Sequence, residues 1–427
     1  MKKYLAILTV IVIVVVIVLV RKNTDTLEYD ANSNLEIENT LEEVCEICLN
    51  EFKRYDIENG AKIVVGVDNE IVGKQLVSLW NEMNQEDTGL LSYIVFNSFD
   101  LTILPDVYLL DEAEYQSSEF YLLDSSLQKN SNFLSYSYNG VVFSYNKTML
   151  EEFGIEMLDS NNDSLPDSID TWEEIFNLEL VGESYKGNVI NEIYPISINE
   201  VWTAYSSLTA GGYEFYKDGF ESNEFLKGLE FIEEFSKKGI NNDLYGMKLN
   251  GNRMGYRLDE YLAEEAYPFS LVGSWSNVNS FELMNGSNLK FAQMPTYNGN
   301  NLSPFTKIKG FVISKDTMYP SAAHEVLRWL TEQEALNVMT SFSNIVPTPN
   351  LEFSPEDDNL AEIIDAFNFN HIETTEMIPD TDVRALEIYY NANIGEYLVE
   401  LWDGSKTALE VQQEIVVLSE AWVTSQK

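Results

Sequence analysis

The sequence is poor in the residues on which most catalytic and metal centres depend. It contains only two histidines, His324 and His371, and only two cysteines, Cys45 and Cys48. It has no G-x-S-x-G nucleophile elbow, no phosphate loop and no H-E-x-x-H motif. Two cysteines cannot form a disulfide scaffold. The sequence therefore carries no catalytic signature, although a glycosidase, which needs only two carboxyl groups, stays open.

Positive charge is also scarce. The 427 residues include 26 Lys and Arg against 70 Asp and Glu, which gives a formal net charge of -44. Nucleic-acid affinity needs clustered basic side chains that displace counterions from phosphates, so we expect no DNA or RNA partner. Hydrophobic residues make up 45% of the chain, which is too much for a disordered acidic tail. The length predicts roughly two to three folded domains.

A long hydrophobic run lies at the N-terminus. Lys2 and Lys3 precede an uncharged apolar stretch from Tyr4 to Val20, which Arg21 and Lys22 close. As a helix this stretch would span about 25 Å, near the lower limit for crossing a bilayer. No A-x-A-like cleavage site follows it closely. We predict an uncleaved signal anchor that holds the acidic remainder on the extracytoplasmic face of the cell membrane.

The anchor, residues 1–22, is followed by a polar and acidic segment, residues 23–60, which we interpret as a spacer. Cys45 and Cys48 are predicted to lie on a short helix inside it. A C-x-x-C pair outside the cytosol fits a local disulfide, a redox pair or a merely structural role, and the sequence leaves these open.

From Ala61 onward, strand and helix patterns alternate. A short apolar strand at 63–65 is followed by a helical stripe of Val72, Leu76, Leu79 and Met83. Further strands are predicted at 107–110 and 140–145. Such β-α units are typical of a parallel sheet buried on both faces, so residues 61–427 are predicted to be α/β.

Later helices carry start and stop signals. Thr171 with Glu174, and Thr331 with Glu334, have the spacing of capping boxes. Another helical stripe, which Gly239 ends, comprises Phe225, Leu229, Ile232 and Phe235.

Several short segments follow one another in a distinctive order. They are Pro105-Asp106-Val107, Tyr145-Asn146-Lys147, Phe153-Gly154-Ile155, Asp170-Thr171-Trp172-Glu173-Glu174, Gly211-Gly212-Tyr213, Gly273-Ser274-Trp275, Gly310-Phe311-Val312-Ile313-Ser314, Leu330-Thr331-Glu332-Gln333-Glu334-Ala335 and Ile345-Val346-Pro347. In this order the sequence resembles the extracellular solute-binding proteins of ABC importers, in the sugar-binding family that includes maltose-binding protein. The resemblance covers about 350 residues.

The resemblance implies a two-lobed periplasmic-binding-protein-like fold with hinge strands and a ligand cleft between the lobes. The first lobe would comprise residues 61–147 and 309–345, and the second residues 148–308 and 346–427. The chain would cross between the lobes near Asn146, Lys309 and Val346.

The family's ligand positions can be transferred to this sequence. Trp275 matches a stacking tryptophan of the family, with Ser274 in place of the family's proline. Further ring positions fall near Trp202 and near Tyr389 or Tyr390. The polar positions are Asp68 and Asn69 at the end of the first strand, and Asn139, which replaces a family carboxylate. A second departure is Leu110, which stands where the maltose binders carry a tryptophan, and both departures weaken a specific prediction of maltodextrin.

One acidic loop has metal-ligand spacing independently of the resemblance. Asp159, Asn161, Asp163, Asp167 and Asp170 occupy positions 1, 3, 5, 9 and 12 of a twelve-residue loop, with the Leu165 carbonyl at position 7. Position 6 is Ser164 instead of glycine, and position 12 is Asp instead of Glu. The pattern fits a structural calcium ion or a solvated acidic turn, and no cofactor is otherwise required.

The predicted function is capture of a sugar or oligosaccharide outside the membrane and its delivery to an ABC permease by a monomer, with no chemical step. Two alternatives remain: a membrane-anchored glycan-active enzyme, and a ligand-sensing or adhesion module. Turnover of an oligosaccharide would identify the first, and failure to close on any small molecule the second.

Overall fold

A computed structural model describes residues 47–96, 104–112, 117–128, 131–190, 193–194, 198–237, 267–276, 288–343, 345–369, 372–373, 387–389 and 392–426. Residues 47–427 form one compact unit. The predicted signal anchor and most of the predicted spacer lie outside the described residues. Among the helices that the structure describes, none is both long enough and apolar enough to cross a bilayer.

Eleven strands are described. They are β1 (Ile63–Val67), β2 (Leu91–Val95), β3 (Val107–Asp111), β4 (Leu134–Asn146), β5 (Ser184–Tyr185), β6 (Asn188–Val189), β7 (Phe269–Gly273), β8 (Leu289–Ala292), β9 (Phe305–Ile313), β10 (Val346–Pro347) and β11 (Ile372–Glu373). Nine of them form one mixed sheet, with the order β10-β4-β9-β3-β1-β2, while β7 and β8 pair with β4 and β11 pairs with β9. β1 runs parallel to β2 and β3, as the buried apolar pattern predicts.

The long strand β4 belongs to two parts of the sheet. Its first half, up to Gly140, pairs antiparallel with β9. Its second half, from Val141, pairs with β7 and β8. Tyr136 from the first half and Phe143 from the second lie in two different hydrophobic cores. β4 therefore connects the cores directly.

Eleven α-helices are found among the described residues. They are α1 (Glu70–Met83), α2 (Lys147–Glu152), α3 (Trp172–Phe176), α4 (Val201–Leu208), α5 (Phe215–Asp218), α6 (Asn223–Lys237), α7 (Pro320–Leu330), α8 (Gln333–Ser343), α9 (Asp358–Phe369), α10 (Ile394–Trp402) and α11 (Ala408–Gln426). The α/β class predicted from the sequence is confirmed by this alternation.

The first core joins β1 to the helices α1 and α7. Trp80 of α1 packs edge-on against Trp329 of α7, with their ring centroids 5.1 Å apart. The buried stripe of α1 consists of Val72, Leu76 and Trp80. The prediction that Met83 continues this stripe is wrong, because its side chain is 44% exposed. The buried residues of α1 recur at positions i, i+4 and i+8, and this buried face contacts α7 through Trp80.

The second core surrounds α6 and α3. The predicted stripe of Phe225, Leu229, Ile232 and Phe235 is confirmed, since all four side chains are buried. Trp172 contacts Phe235 edge-on at a centroid distance of 5.3 Å. Aromatic contacts of this kind stabilise a core beyond the area that they bury.

The two predicted capping boxes have different outcomes. Thr171 forms the box, because its hydroxyl accepts from the Glu174 amide and the Glu174 carboxylate accepts from the Thr171 amide. Thr331 does not, because α8 begins at Gln333, and the Thr331 hydroxyl instead donates to the Arg328 carbonyl at the end of α7. The prediction fails here because two helices meet within a few residues.

Residues 47–58, at the end of the predicted spacer, pack against α7. The Glu58 carboxylate accepts from the Ser321 and Ala322 amides at 2.8 and 2.7 Å, which places a negative charge at the N-terminus of α7. Tyr55 covers His324 at a centroid distance of 5.4 Å. His324 is fully buried, whereas the sequence alone predicts a solvated or partly packed histidine in this helix. Burial lowers the pKa of His324 below its ordinary value.

Cys48 is disulfide-bonded, and the only other cysteine in the sequence is Cys45, which lies outside the described residues. The predicted helix does not include Cys48, because the next residue, Leu49, pairs with Tyr55 in an antiparallel bridge.

Candidate functional site

A cleft of about 550 Å³ lies where the ends of several strands meet. β1, β2 and β3 contribute the residues at their carboxyl ends, and β4, β9, the end of α8 and the turn after β7 complete the lining. Open α/β sheets bind ligands outside the carboxyl ends of their strands. The cleft residues are Gly66, Val67, Asp68, Val95, Phe96, Leu109, Leu110, Asp111, Ser137, Tyr138, Asn139, Ser274, Trp275, Lys309, Met339, Ser343 and Ile345.

Asp68 and Asn69 follow β1 directly but have different roles. Asp68 is exposed and lines the cleft, and its Oδ1 accepts from the Ser343 hydroxyl at 2.7 Å and from the Asn69 amide at 3.1 Å. Asn69 caps α1, because its Oδ1 accepts from the Val72 amide, and its Nδ2 also donates to the Phe342 carbonyl. These bonds hold Asp68 at the edge of the cleft, and Asn69 is not among the cleft residues.

Trp275 contributes an aromatic ring to the cleft lining. Its side chain is 40% exposed, and the indole lies against the backbone of Gly273. A Cβ atom at Gly273 would approach Trp275 Cε2 to 2.2 Å, so only glycine allows this ring position without a shift. The exposed ring face is therefore held in place by the end of β7. An aromatic ring of this kind can cover the apolar face of a pyranose.

Two of the three positions that differ from the family pattern, Ser274 and Asn139, lie side by side. The Ser274 hydroxyl donates to Asn139 Oδ1 at 3.3 Å. The Gly140 amide donates to Ser274 Oγ, and the Ser274 amide donates to the Gly140 carbonyl. A proline at 274 could donate neither hydrogen bond. The amide of Asn139 is thus fixed at the floor of the cleft, next to Trp275.

The other predicted rings lie either away from the cleft or outside the described residues. Tyr389 is buried in the second core, 4% exposed, and contacts Tyr205 edge-on. It is not among the cleft residues. Trp202 lies in α4, and its side chain and Tyr390 lie outside the described residues. The structure therefore brings together Asp68, Asn139 and Trp275, and the ligand roles of all these residues stay predictions.

Sequence reasoning did not name six polar or aromatic residues of the cleft as ligand candidates: Phe96, Asp111, Ser137, Tyr138, Lys309 and Ser343. Phe96 directly follows β2, and Asp111 ends β3. Both could have been found, because the carboxyl ends of parallel strands meet at one edge of a sheet. Lys309 carried no such signal, since it lies within β9 and reaches the cleft only through its pairing with β3.

Side-chain oxygens of the acidic loop accept hydrogen bonds from backbone amides of the same loop. Asp159 accepts from the amides of Asn162, Asp163 and Ser164. Asn161 donates from Nδ2 to Asp163 at 3.1 Å and to Asp170 at 3.3 Å. Ser164, at the position where glycine is usual, has a left-handed φ of 74°.

The remaining predicted ligands of this loop are Leu165, whose amide donates to Asp163, and Asp167, whose Oδ1 accepts from the Ser160 amide. Within the described ranges, no three His, Cys, Asp or Glu side chains are grouped so that they could hold a metal ion. The predicted calcium site therefore stays a prediction.

The environment of Asp170 disfavours the ionised form of its carboxyl group. Burial, followed by the carboxylates of Asp163 and Asp167, raises its pKa from 3.8 to about 6. The folded chain binds this proton more tightly than the unfolded chain does. Ionisation of Asp170 therefore lowers stability as pH rises from about 4 to 6, and the full penalty is present above that window.

We expect Asp170→Asn to remove this penalty. In a calcium-free buffer with a chelator, the variant should melt at a higher temperature than the parent chain at pH 7.5, and the difference should vanish near pH 3.5. Asp365→Asn, on the exposed side of α9, is the control and should not change the pH dependence. An equal effect of Asp170→Asn at both pH values would show that the carboxyl is not strained.

Comparisons with known proteins identify the fold. The maltose-binding periplasmic protein of Listeria monocytogenes, solved in complex with maltose, aligns with a TM-score of 0.62 and 16% identity, over 87% of this chain and 100% of that chain. A cyclo/maltodextrin-binding protein complexed with maltotetraose aligns with a TM-score of 0.63 and 13% identity, over 87% and 99% of the two chains.

The extracellular solute-binding protein of Staphylococcus aureus, in complex with maltose, gives a TM-score of 0.62 and 15% identity, over 86% and 99% of the two chains. Neither a protein-family model nor a curated protein sequence matches this chain. At such low identities the likeness establishes the fold alone. The chain has the two-lobed α/β fold of the maltose- and maltodextrin-binding solute-binding proteins, as the sequence resemblance implied.

Proposed function

We propose that this protein is the extracytoplasmic binding component of an ABC importer, which captures a sugar or oligosaccharide in the cleft and delivers it to a permease without a chemical step. The observation that carries the proposal is the meeting of Asp68, Asn139 and Trp275 in one cleft of about 550 Å³. A pyranose offers an apolar face to a ring and a rim of hydroxyls to amide and carboxylate partners. The structural neighbours named above are binding proteins, which supports a role without catalysis.

The proposal includes hinge closure between two lobes. The first lobe comprises residues 61–147 and 309–345, and the second comprises residues 148–308 and 346–427. Hinge closure is supported by two hydrophobic cores, one with Tyr136 and one with Phe143, whereas a third buried cluster, with Tyr108 and Val272, joins strands of both proposed lobes. It is further supported by β4, which contributes side chains to both cores, and by Val346, which pairs with Tyr138 of β4. Trp275 on one side and Asp68 on the other would then approach each other when the lobes close on a ligand.

Calorimetric titration with maltose, maltotriose, cellotriose and xylotriose tests the proposed function. We expect one of these sugars to bind with a 1:1 ratio and to be recovered intact after prolonged incubation. Small-angle scattering should show a smaller radius of gyration in the bound state. Products of hydrolysis would indicate the glycan-active alternative, and absence of binding across this panel and a wider sugar set would contradict the proposal.

The proposed location is the cell membrane, with residues 1–22 as an uncleaved anchor and the folded unit on the outside. The apolar run offers signal peptidase no small-residue site. Mass spectrometry of the native protein extracted from membranes should therefore find a chain that begins near Met1. A mature start between residues 21 and 40 would contradict the anchor.

We propose that the loop at 159–170 can take up one calcium ion, which would displace the bonds from Asn161 and separate the carboxylates. Calcium that binds only the folded chain raises its melting temperature as its concentration increases. Asp163→Ala should abolish that increase, whereas Asp365→Ala should retain it. If calcium changes neither the melting temperature nor the hydrogen exchange of residues 159–174, the loop is a solvated turn.

A further inference from the structure

Two oppositely charged side chains line the cleft from neighbouring strands. Asp111 ends β3, and Lys309 lies directly opposite it in the antiparallel register with β9. Both belong to the cleft lining. Directly opposite residues of an antiparallel pair have Cβ atoms about 5 Å apart, so one small group can touch both side chains.

Neither side chain is satisfied within the described part of the protein. Asp111 Oδ1 is buried from solvent and has no hydrogen-bond partner there. Lys309 takes part in no ion pair and no hydrogen bond with the described residues. Several other lysines among the described residues are paired, as Lys290 is with Glu362 at 2.6 Å.

A buried carboxylate oxygen without a hydrogen-bond partner is unfavourable unless another group donates to it. The terminal torsion of an aspartate is broad, so rotation can turn either carboxylate oxygen of Asp111 toward the cleft. A sugar hydroxyl can donate to the carboxylate and at the same time accept from the ammonium group. Hydrogen bonds to charged partners are about twice as strong as those between neutral groups.

The charges of the cleft favour a neutral ligand over an anionic one. Asp68 and Asp111 outnumber Lys309 in the lining, so an anionic sugar would meet like charge on two sides. A cationic sugar would be repelled by Lys309 but attracted by the two carboxylates. A neutral hydroxyl can hydrogen-bond to both Asp111 and Lys309 without adding a charge of its own.

We propose that Asp111 and Lys309 together bind one hydroxyl of a neutral sugar and so help to set the specificity of the cleft. This inference rests on the proposed sugar-binding function. Asp111 ends the strand that also carries Leu110. The excess of carboxylates in the lining disfavours uronic acids.

The test compares Asp111→Leu, Lys309→Met and the double variant in calorimetric titrations with maltotriose, cellotriose and xylotriose as neutral probes. Trigalacturonate is the anionic probe and the glucosamine trimer is the cationic probe. Lys315→Met is the control for lysine removal, because its ammonium group bonds to the Ser118 carbonyl and lies outside the cleft lining. Asp365→Leu is the matching control for aspartate. Thermal unfolding identifies any variant that fails to fold, for which Asp111→Asn or Lys309→Gln is substituted.

We expect each single variant to weaken binding of the best neutral probe at least tenfold, with both controls unchanged. The double variant should lose little more than either single variant, because one hydroxyl is shared. If the parent chain binds a neutral sugar and both variants bind it equally well, the inference is wrong and the proposed function stands. Tighter binding of a charged trimer also overturns the inference. If the parent chain binds no sugar, the proposed function fails and this inference with it.

Discussion

Replacement of Glu325 by alanine is expected to lower the free energy of unfolding by about 3 to 5 kcal/mol, the usual cost of breaking a buried ion pair on one side. The Glu325 side chain is fully buried in α7. Its carboxylate accepts from Arg54 Nε at 2.6 Å and from the Tyr55 amide at 2.9 Å. Arg328 adds two further bonds, at 2.8 and 2.9 Å.

The substitution would leave two guanidinium groups and one buried amide without their main acceptor. Arg328 stays charged in the variant, because a guanidinium group remains protonated at neutral pH even without a carboxylate partner. Denaturant unfolding measures the effect, and hydrogen exchange should show that residues 47–58 separate from α7. Glu70→Ala, which removes an exposed helical ion pair with Lys74, is the control and should have no measurable effect. A loss no larger than in the control would show that Glu325 does not hold this segment.

The class of the fold could be predicted because it depends on local patterns. The strand at Ile63–Val67 reads as a continuous apolar run, and the Thr171 capping box is complete within four residues. The features that failed depend on distant partners. Trp80 replaces Met83 in the buried stripe of α1 because Trp329, far along the chain, packs against it. His324 is buried because Tyr55 covers it.

The residues of the candidate site likewise differ in whether a local sequence pattern predicts them. Asp68 follows a strand that the sequence identifies, and Trp275 lies in a segment that the family resemblance marks, so both could be named in advance. Lys309 could not, because a position inside a strand gains a cleft role only from its cross-strand partner Asp111. The bond between Ser274 and Asn139 joins residues 135 positions apart. No local pattern reports such a pair.

The largest expected effect on ligand binding comes from Trp275. The proposed function requires a ring that covers an apolar sugar face, and the indole at 275 is half exposed and held against Gly273. Trp275→Ala removes this contact area. The neighbouring hydrogen bonds of the Ser274 hydroxyl with Gly140 and Asn139 do not involve the Trp275 side chain and should persist. The fold should therefore change little.

We expect Trp275→Ala to weaken sugar binding by about 1 to 3 kcal/mol, or roughly 5- to 150-fold, because burial of an aromatic face against a ligand contributes this much. Calorimetry with the best-binding sugar measures the loss, and the melting temperature without sugar should stay close to that of the parent chain. Trp275→Phe keeps a smaller ring and should retain part of the affinity, which separates stacking from loss of structure. Trp422→Ala, in α11 and outside the cleft lining, is the control for tryptophan removal and should leave affinity unchanged. Unchanged affinity in Trp275→Ala would place the sugar elsewhere in the cleft.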